Sequence, residues 1–372
     1  MRLVVNGRYS KQRMTGVQRY AEEIVSRLRD RVSVVTPGRA GVGVPGHLWE
    51  QVCLPVRSQG SVLWSPCNTG PLCHPKQVVT IHDCAFHDCP DAFSKSFQRW
   101  YEWLLPRLAC RAAKIITVSE FSRRRLLDLF GVPIEKTEVI ANAVSQRFRP
   151  TNKDVVDAMR SRLGLPDSYV LTLGSIEPRK NLDRLLQAWK MSSERLKDRV
   201  LVVAGGRSSV FREVFTSAPR NVMFLGYVPD SDLPALYSGA SCFVYTSVYE
   251  GFGLPVLEAM SCGTPVVCSN NTSLPEVSGE AAVAVDPFDV DVTGAAISEI
   301  LQNPELQRTL RTDGLRQAAR FSWTRTSDQV WDVLQSQVAE RPVVSSAKRS
   351  ATIGKMATRL DSAPRSTANS FR

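Results

Sequence analysis

Short β-rich runs alternate with helical stretches along this chain, and the alternation begins twice. The first series holds RLVVNG, RVSVVTP, SVLWSP, QVVTIHD, AAKIITVS and a short TEVIANAV. Between them, GVQRYAEEIVSRLRD sets Val17, Tyr20, Ile24, Val25 and Leu28 at helical spacing. SEFSRRRLLDLFG offers Ser119 as a helix N-cap and Gly131 as its stop. The second series starts near residue 165 with YVLTLGS, RVLVVAGG, VMFLGY, SCFVYTS, TPVVCSN and AAVAVD. Its helices include NLDRLLQAWKMSS, SDLPALYSGA and LPVLEAMSCG. Strands that alternate with helices fold as parallel sheets with right-handed crossovers. The expected fold class is therefore α/β, with two Rossmann-like, doubly wound parallel-sheet domains over residues 1–150 and 151–320. SQRFRPTNKD reads as the linker between them.

The length of 372 residues, with 43% hydrophobic and 22% charged residues, suffices for two buried cores. No run of about 18 apolar residues is present to span a membrane. The N-terminus lacks the apolar stretch of a secretion signal, so the expected compartment is cytoplasmic. Nine scattered cysteines suit that compartment and are expected mostly as small buried hydrophobes. Residues 1–150 carry 22 Lys and Arg against 12 Asp and Glu, a net charge of +10. Residues 151–340 are net −5, and residues 341–372 are net +6 and read as a basic, disordered tail. A basic first half suits an anionic membrane surface, a phosphorylated acceptor or nucleic acid, or is simply a solvated cationic face. No G-x-G-x-x-G and no GxxxxGK[ST] follows a strand, which weighs against dehydrogenase and NTPase chemistry.

Ligands of open α/β sheets sit beyond the carboxyl ends of the strands. Unusual residues cluster there. After VLTL come Gly174, Ser175, Ile176, Glu177, Pro178, Arg179, Lys180 and Asn181. After VVTI come His82 and Asp83, and a loop with Thr15 and Gly16 follows VVN. Arg179 and Lys180 suit a diphosphate, whose negative charge grows as it leaves. As plain surface charges on the first turn of a helix they would oppose its dipole, and an anion between them would remove that mismatch. In SVYEGFGLPVLEAMSCGTPVV, seven residues separate Glu250 from Glu258. Pro255 suits the first turn of a helix, leaving free N–H groups near Gly253 and Leu254 to meet a ligand. Two carboxylates that far apart can hold two hydroxyl-bearing parts of one elongated ligand. The alternative is a capping acid and a surface helix acid.

These segments resemble the retaining glycosyltransferases of sequence family 4. SVYEGFGLPVLEAMSCGTPVVCSNNTSLPEVSGEAAVAVDPFD is similar to their E-x7-E region, and GSIEPRKNLDRLLQAW to their diphosphate loop. GVQRYAEEI, VVTIHDCAF, AAKIITVSEFSRRRLLDLFGVPIEKTEVIANAV and FSWTRTSDQVWDVL resemble further family segments, so the likeness spans about residues 1–335. One departure is Asn142-Ala143, where the family often has Asn-Gly.

The resemblance implies the GT-B fold, with the two domains facing across a cleft and a closing helix at 321–340 packed back on the acceptor-binding N-terminal domain. It implies that Arg179 and Lys180 grip the donor diphosphate, that Glu250 with Phe252, Gly253 and Leu254 holds the donor sugar, and that Glu258 binds ribose hydroxyls. His82 would lie across the cleft near sugar and acceptor. Gly16 and Gly174 would let backbone approach the diphosphate, and Val228 would flank the base. No cofactor and no metal is implied beyond a nucleotide-sugar donor, for which GDP-mannose is favoured over UDP-glucose and related sugars. The acceptor would be a lipid-linked sugar or growing polysaccharide. Front-face attack would retain the anomeric configuration.

Other readings remain. Cys67, Cys73, His74, His82, Cys84, His87 and Cys89 raise zinc binding, but no C-x2-C pair occurs and the spacing is irregular. FSKSFQRWYEWLLPRLACRAAK mixes aromatics with arginines, near the triplet Arg123, Arg124 and Arg125. It suits either peripheral contact with an anionic membrane or a buried helix between domains. A GT-B phosphorylase, an epimerase or a non-catalytic sugar-nucleotide-binding protein could share the architecture. Nucleic acid is not an expected partner, because the basic residues lack a reading motif.

Overall fold

The structure, a computed structural model, describes residues 2–12, 14–38, 41–192, 199–206 and 221–339. The basic tail at 341–372 lies outside them. All twelve expected strands form. The first sheet comprises β1 (Leu3–Asn6), β2 (Ser33–Val35), β3 (Val62–Ser65), β4 (Gln77–Thr80), β5 (Lys114–Thr117) and β6 (Thr137–Val139). The second comprises β7 (Tyr169–Leu173), β8 (Val200–Ala204), β9 (Val222–Gly226), β10 (Cys242–Tyr245), β11 (Val266–Ser269) and β12 (Val283–Val285). Their orders are β2-β1-β3-β4-β5-β6 and β12-β11-β10-β7-β8-β9, with every pair parallel. Helices cover both faces, so strands such as β1, β3, β10 and β11 are buried throughout. That is why their sequences are continuous apolar runs rather than alternating ones.

The strand order fixes where a ligand can enter. From β7 the chain adds β8 and β9 on one side, then returns to add β10, β11 and β12 on the other. Loops leaving β7 and β10 therefore diverge and open a crevice between them. These are the loops that carry Arg179, Lys180 and Glu250. The first sheet has the same reversal between β1 and β3.

Some local readings need correction. Arg179 and Lys180 are not in the first turn of a helix. They lie on a separate 3-10 turn, Pro178–Lys180, and Asn181 at φ 59° turns the chain before the helix Leu182–Met191. The polar end of SQRFRPTNKD is not all linker, because the Asn152 side chain accepts from the Asp154 N–H and starts the helix Lys153–Leu163. Of the nine cysteines, Cys84, Cys242, Cys262 and Cys268 are buried. Cys53, Cys73 and Cys110 are exposed, and Cys67 and Cys89 are half-buried. The buried group sits in or beside strands and packed helices; Cys53 and Cys110 fall on outer faces of helices. No described helix is long and apolar enough to cross a membrane.

The helix Trp323–Ala339 packs on the helix Gly16–Leu28 and on β3. Trp323, Val330 and Leu334 thereby join the core of Leu3, Val5, Tyr20 and Trp64. Trp323 is 3% exposed and meets Tyr20 edge-on at 6.2 Å, while its indole N–H finds no acceptor among the described residues. Its value is thus packing alone. Trp323→Ala should lower the unfolding free energy by about 3–5 kcal/mol in urea titrations, and Trp323→Phe by much less.

Candidate functional site

The carboxyl ends of both sheets border one cleft of about 810 Å³. It brings together all eleven residues singled out from the sequence: Gly16, His82, Gly174, Arg179, Lys180, Val228, Glu250, Phe252, Gly253, Leu254 and Glu258. A smaller cavity of about 560 Å³ lies by Arg2, Arg31 and Trp331 and includes none of them.

Glu250 is the electrostatic centre. It is 7% exposed, beyond the end of β10. Lys180 Nζ lies 2.5 Å from its Oε1, and Arg179 3.3 Å from its Oε2. The Tyr245 hydroxyl donates to the same carboxylate at 3.0 Å. Burial alone would raise the Glu250 pKa, but the charges of Lys180 and Arg179 outweigh it and hold it at about 2. Burial pulls the Lys180 ammonium below its usual range, with Glu250 opposing. The anion that the paired cations require is thus supplied by the protein itself. Glu177, 2.7 Å from Arg179, orients the guanidinium from the other side.

Backbone and small polar groups fix this arrangement. Val248 N–H donates to the Arg179 carbonyl at 2.8 Å, tying the two loops together. The Asn181 side chain donates to the Thr246 and Pro287 carbonyls at 3.0 and 2.6 Å. Asparagine tolerates the left-handed backbone there, which makes it suited to this post. Ser273 donates to the Glu250 and Phe252 carbonyls, each at 2.9 Å.

Two glycines in the turn are required by space. Gly253 adopts φ 106° as cap of the helix Leu254–Ser261, and a Cβ there would lie 2.4 Å from Leu274. At Gly251 a Cβ would lie 2.7 Å from Asp83 and 2.8 Å from the His82 carbonyl, both in the first domain. The turn is therefore built against its neighbour domain. Ser119 donates to the Gly251 carbonyl at 2.7 Å, and Cys84 N–H donates to the Tyr249 hydroxyl at 3.1 Å. Gly16 comes from the first domain to the same place, where a Cβ would meet Leu254 at 3.5 Å.

Glu258 occupies the far end of the cleft, 6% exposed. The Tyr237 hydroxyl donates to it at 3.0 Å, and Arg19 of the first domain lies 3.5 Å away. Burial raises its pKa to about 7 against the pull of Arg19 and Tyr237. Arg19 also pairs with Asp230, which Arg147 meets at 3.1 Å. Val228, 6% exposed, lies two residues before Asp230. Gly174 follows β7 and faces the Lys180 side chain.

His82 is 5% exposed, and its Nε2 lies 2.9 Å from the Pro66 carbonyl. A carbonyl only accepts, so Nε2 carries the proton and only Nδ1 is left to accept. Burial lowers the imidazole pKa, favouring the neutral ring. Asn68, at φ 59°, accepts from the His82 N–H at 2.7 Å and fixes its place. His74 instead meets the Ser58 carbonyl, and His87 meets Asp88. Among the described residues no three His, Cys, Asp or Glu side chains converge as metal ligands.

Sequence reasoning placed Asn181 at the strand end without a role and missed Tyr245, Asn68, Arg19 and Asp230 as parts of the site. Arg19 had a signal, three residues after Gly16 on the same helix. Tyr245 reads in sequence as any aromatic strand residue.

Two measurements check this geometry. Gly253→Ala should cost about 1–3 kcal/mol of stability, from backbone strain and the clash with Leu274. A carboxyl raised from 4.5 to about 7 adds stability that is present below pH 4.5 and lost as pH rises through about 7. The unfolding free energy should therefore fall across that window by roughly 3 kcal/mol more in the parent than in Glu258→Gln.

Two sequence profiles match the chain, "Glycosyl transferases group 1" over residues 157–317 and "Glycosyltransferase Family 4" over residues 58–147. The O-antigen chain mannosyltransferase B of Escherichia coli is 40% identical over 261 residues, which are 68% of this chain and 68% of that protein. The serotype-specific mannosyltransferase WbdA of Escherichia coli is 31% identical over 66% of this chain, which matches only 32% of WbdA's length. Sucrose-phosphate synthase from Thermosynechococcus elongatus shares the fold, with a TM-score of 0.73 over 91% of this chain and 98% of its own, at 19% identity. The chain belongs to the retaining glycosyltransferases of family 4, hexosyl-transferring enzymes with the GT-B fold.

Proposed function

We propose that this enzyme transfers mannose from GDP-mannose to a hydroxyl of a growing, lipid-linked surface polysaccharide, with retention at the anomeric carbon. The observation that carries the reading is Glu250 clasped by Lys180 and Arg179 where the loops of β7 and β10 diverge. The names of the similar mannosyltransferases support the choice of sugar and acceptor.

The donor diphosphate replaces Glu250 as the partner of the two cations. The carboxylate then turns to accept from hydroxyls of the donor hexose. The N–H groups of Gly253 and Leu254 lie at the start of the helix Leu254–Ser261, where the hexose meets them. Glu258 accepts from the ribose, so the two acids grip opposite ends of one ligand. The C1–O bond to the diphosphate breaks while the acceptor oxygen forms its bond to C1 from the same face. The acceptor proton passes to the departing phosphate oxygen, whose growing charge Lys180 and Arg179 neutralise. Positioning supplies the rest, and no carboxylate nucleophile is needed. His82, held neutral with only Nδ1 free to accept, orients the sugar or acceptor rather than acting as a strong base.

Peripheral contact with the inner face of the cytoplasmic membrane would bring the enzyme to its lipid-linked acceptor. Val44, Leu48, Val52 and Val56 support this, as an exposed apolar row along the helix Gly43–Arg57. Flotation with anionic liposomes at low salt should carry the protein upward. Failure to float would remove the membrane from the proposal.

Thermal-shift titration against GDP-, UDP- and dTDP-sugars should show the largest stabilisation with GDP-mannose. A larger shift with another donor would replace mannose or guanosine in this reading. Lys180→Ala should reduce turnover by about a hundredfold or more while the protein stays folded. Near-normal turnover in that folded variant would contradict the role of Lys180.

A further inference from the structure

Phe93, Phe97 and Tyr101 line the same cleft. Ser94 caps the helix Lys95–Arg111, whose Phe97 and Tyr101 lie one turn apart on one face, and Phe93 immediately precedes the cap. Phe93 and Phe97 stack at 5.2 Å with their planes 9° apart. Phe97 and Tyr101 stack at 4.1 Å and 20°. Phe86 backs Tyr101 at 5.9 Å. Phe97 is nevertheless 37% exposed, and the other two are half-buried. A stacked, rigid aromatic wall left open to a cleft is costly unless something covers it.

The wall stands beside the reacting centre. The 3-10 turn Pro90–Ala92, immediately before Phe93, packs on the turn that carries Arg179 and Lys180. Phe86 follows Asp83 by three residues, and Asp83 is the residue a Cβ on Gly251 would strike. The wall thus begins beside the groups to which the proposed function gives the donor sugar and diphosphate. The same cleft is also lined by the polar side chains of Gln12, Gln18, Asn68 and Asp83. Aromatic rings together with amides and a carboxylate fit a pyranose, which has C–H-rich faces and a rim of hydroxyls. A lipid chain has no use for those polar groups. The other aromatics of this helix behave differently: Trp100 and Trp103 stack on each other, and Arg107 lies over Trp103, 43% exposed.

We propose that Phe93, Phe97 and Tyr101 form the acceptor subsite, which takes the terminal pyranose of the acceptor glycan against their rings. This rests on the transferase reading above. Its test is saturation-transfer NMR with a water-soluble methyl mannobioside, on enzyme loaded with GDP. Transfer from protein to the sugar C–H protons is expected in the parent, is lost in Phe97→Ala, and returns in Phe97→Trp. In steady-state assays Phe97→Ala should raise the acceptor KM by about tenfold or more. The donor KM and the acceptor-free hydrolysis of donor should stay unchanged. No saturation transfer in the parent, or none lost in folded Phe97→Ala, overturns the subsite. So does a defect seen only with lipid-linked acceptor, which would assign the wall to the lipid. Acceptor-free donor hydrolysis in the parent reports on the transferase reading separately, because it does not involve the wall.

Discussion

A carboxylate taken out of water must find positive charge or give up its own. Glu250 is 7% exposed and finds two cations, both from the loop after β7. That requirement organises the second domain. Removing one partner of a buried ion pair leaves an uncompensated charge, so each member constrains the others. To reach Glu250, the chain after β7 must turn tightly, and Asn181 closes that turn by bonding to carbonyls beyond β10 and β12. The result holds both cations at the strand-order reversal before any ligand arrives. Cations placed in advance are what transfer of a sugar from a charged diphosphate calls for, because they need not move as charge develops on the leaving group.

The same turn answers to the first domain. Gly251 has no room for a side chain because Asp83 and His82 press on it, and Ser119 bonds its carbonyl. Glu276 of the second domain accepts from the Glu120 and Phe121 N–H groups, both at 2.7 Å, at the start of a first-domain helix. Arg19 reaches from the first domain to Glu258 and Asp230. Cleft-lining groups of the second domain and groups of the first are therefore in direct contact.

Much of this was legible in the sequence because it rests on local pattern. Strands buried on both faces are continuous apolar runs, which marks β1, β3, β4, β10 and β11, while the partly exposed edge strands β2, β6, β9 and β12 follow from their place in the alternation with helices. Glu250, Glu258, Arg179 and Lys180 stood out because acids in an apolar segment and cations at a strand end need a reason. Other features depend on contacts between distant segments. Nothing near Tyr245 says that its hydroxyl meets Glu250, and nothing near Asp230 says that Arg19 and Arg147 converge on it. Cys242, Cys262 and Cys268 lie in apolar runs and are buried, whereas the burial of Cys53 and Cys110 depends on which face of their helices meets a neighbour, and both are exposed. The aromatic segment near Trp100 divided on the same ground. Its residues at four-residue spacing turn into the cleft, and the tryptophans do not.

In the proposed reaction Glu250 exchanges its cations for sugar hydroxyls when the donor binds. A crystal structure with an intact, unreactive GDP-mannose analogue shows whether it does. The diphosphate should lie within hydrogen-bond reach of both Arg179 and Lys180, with Glu250 on the hexose hydroxyls and Glu258 on the ribose. A diphosphate bound elsewhere, with Glu250 still clasped by Lys180, would contradict it.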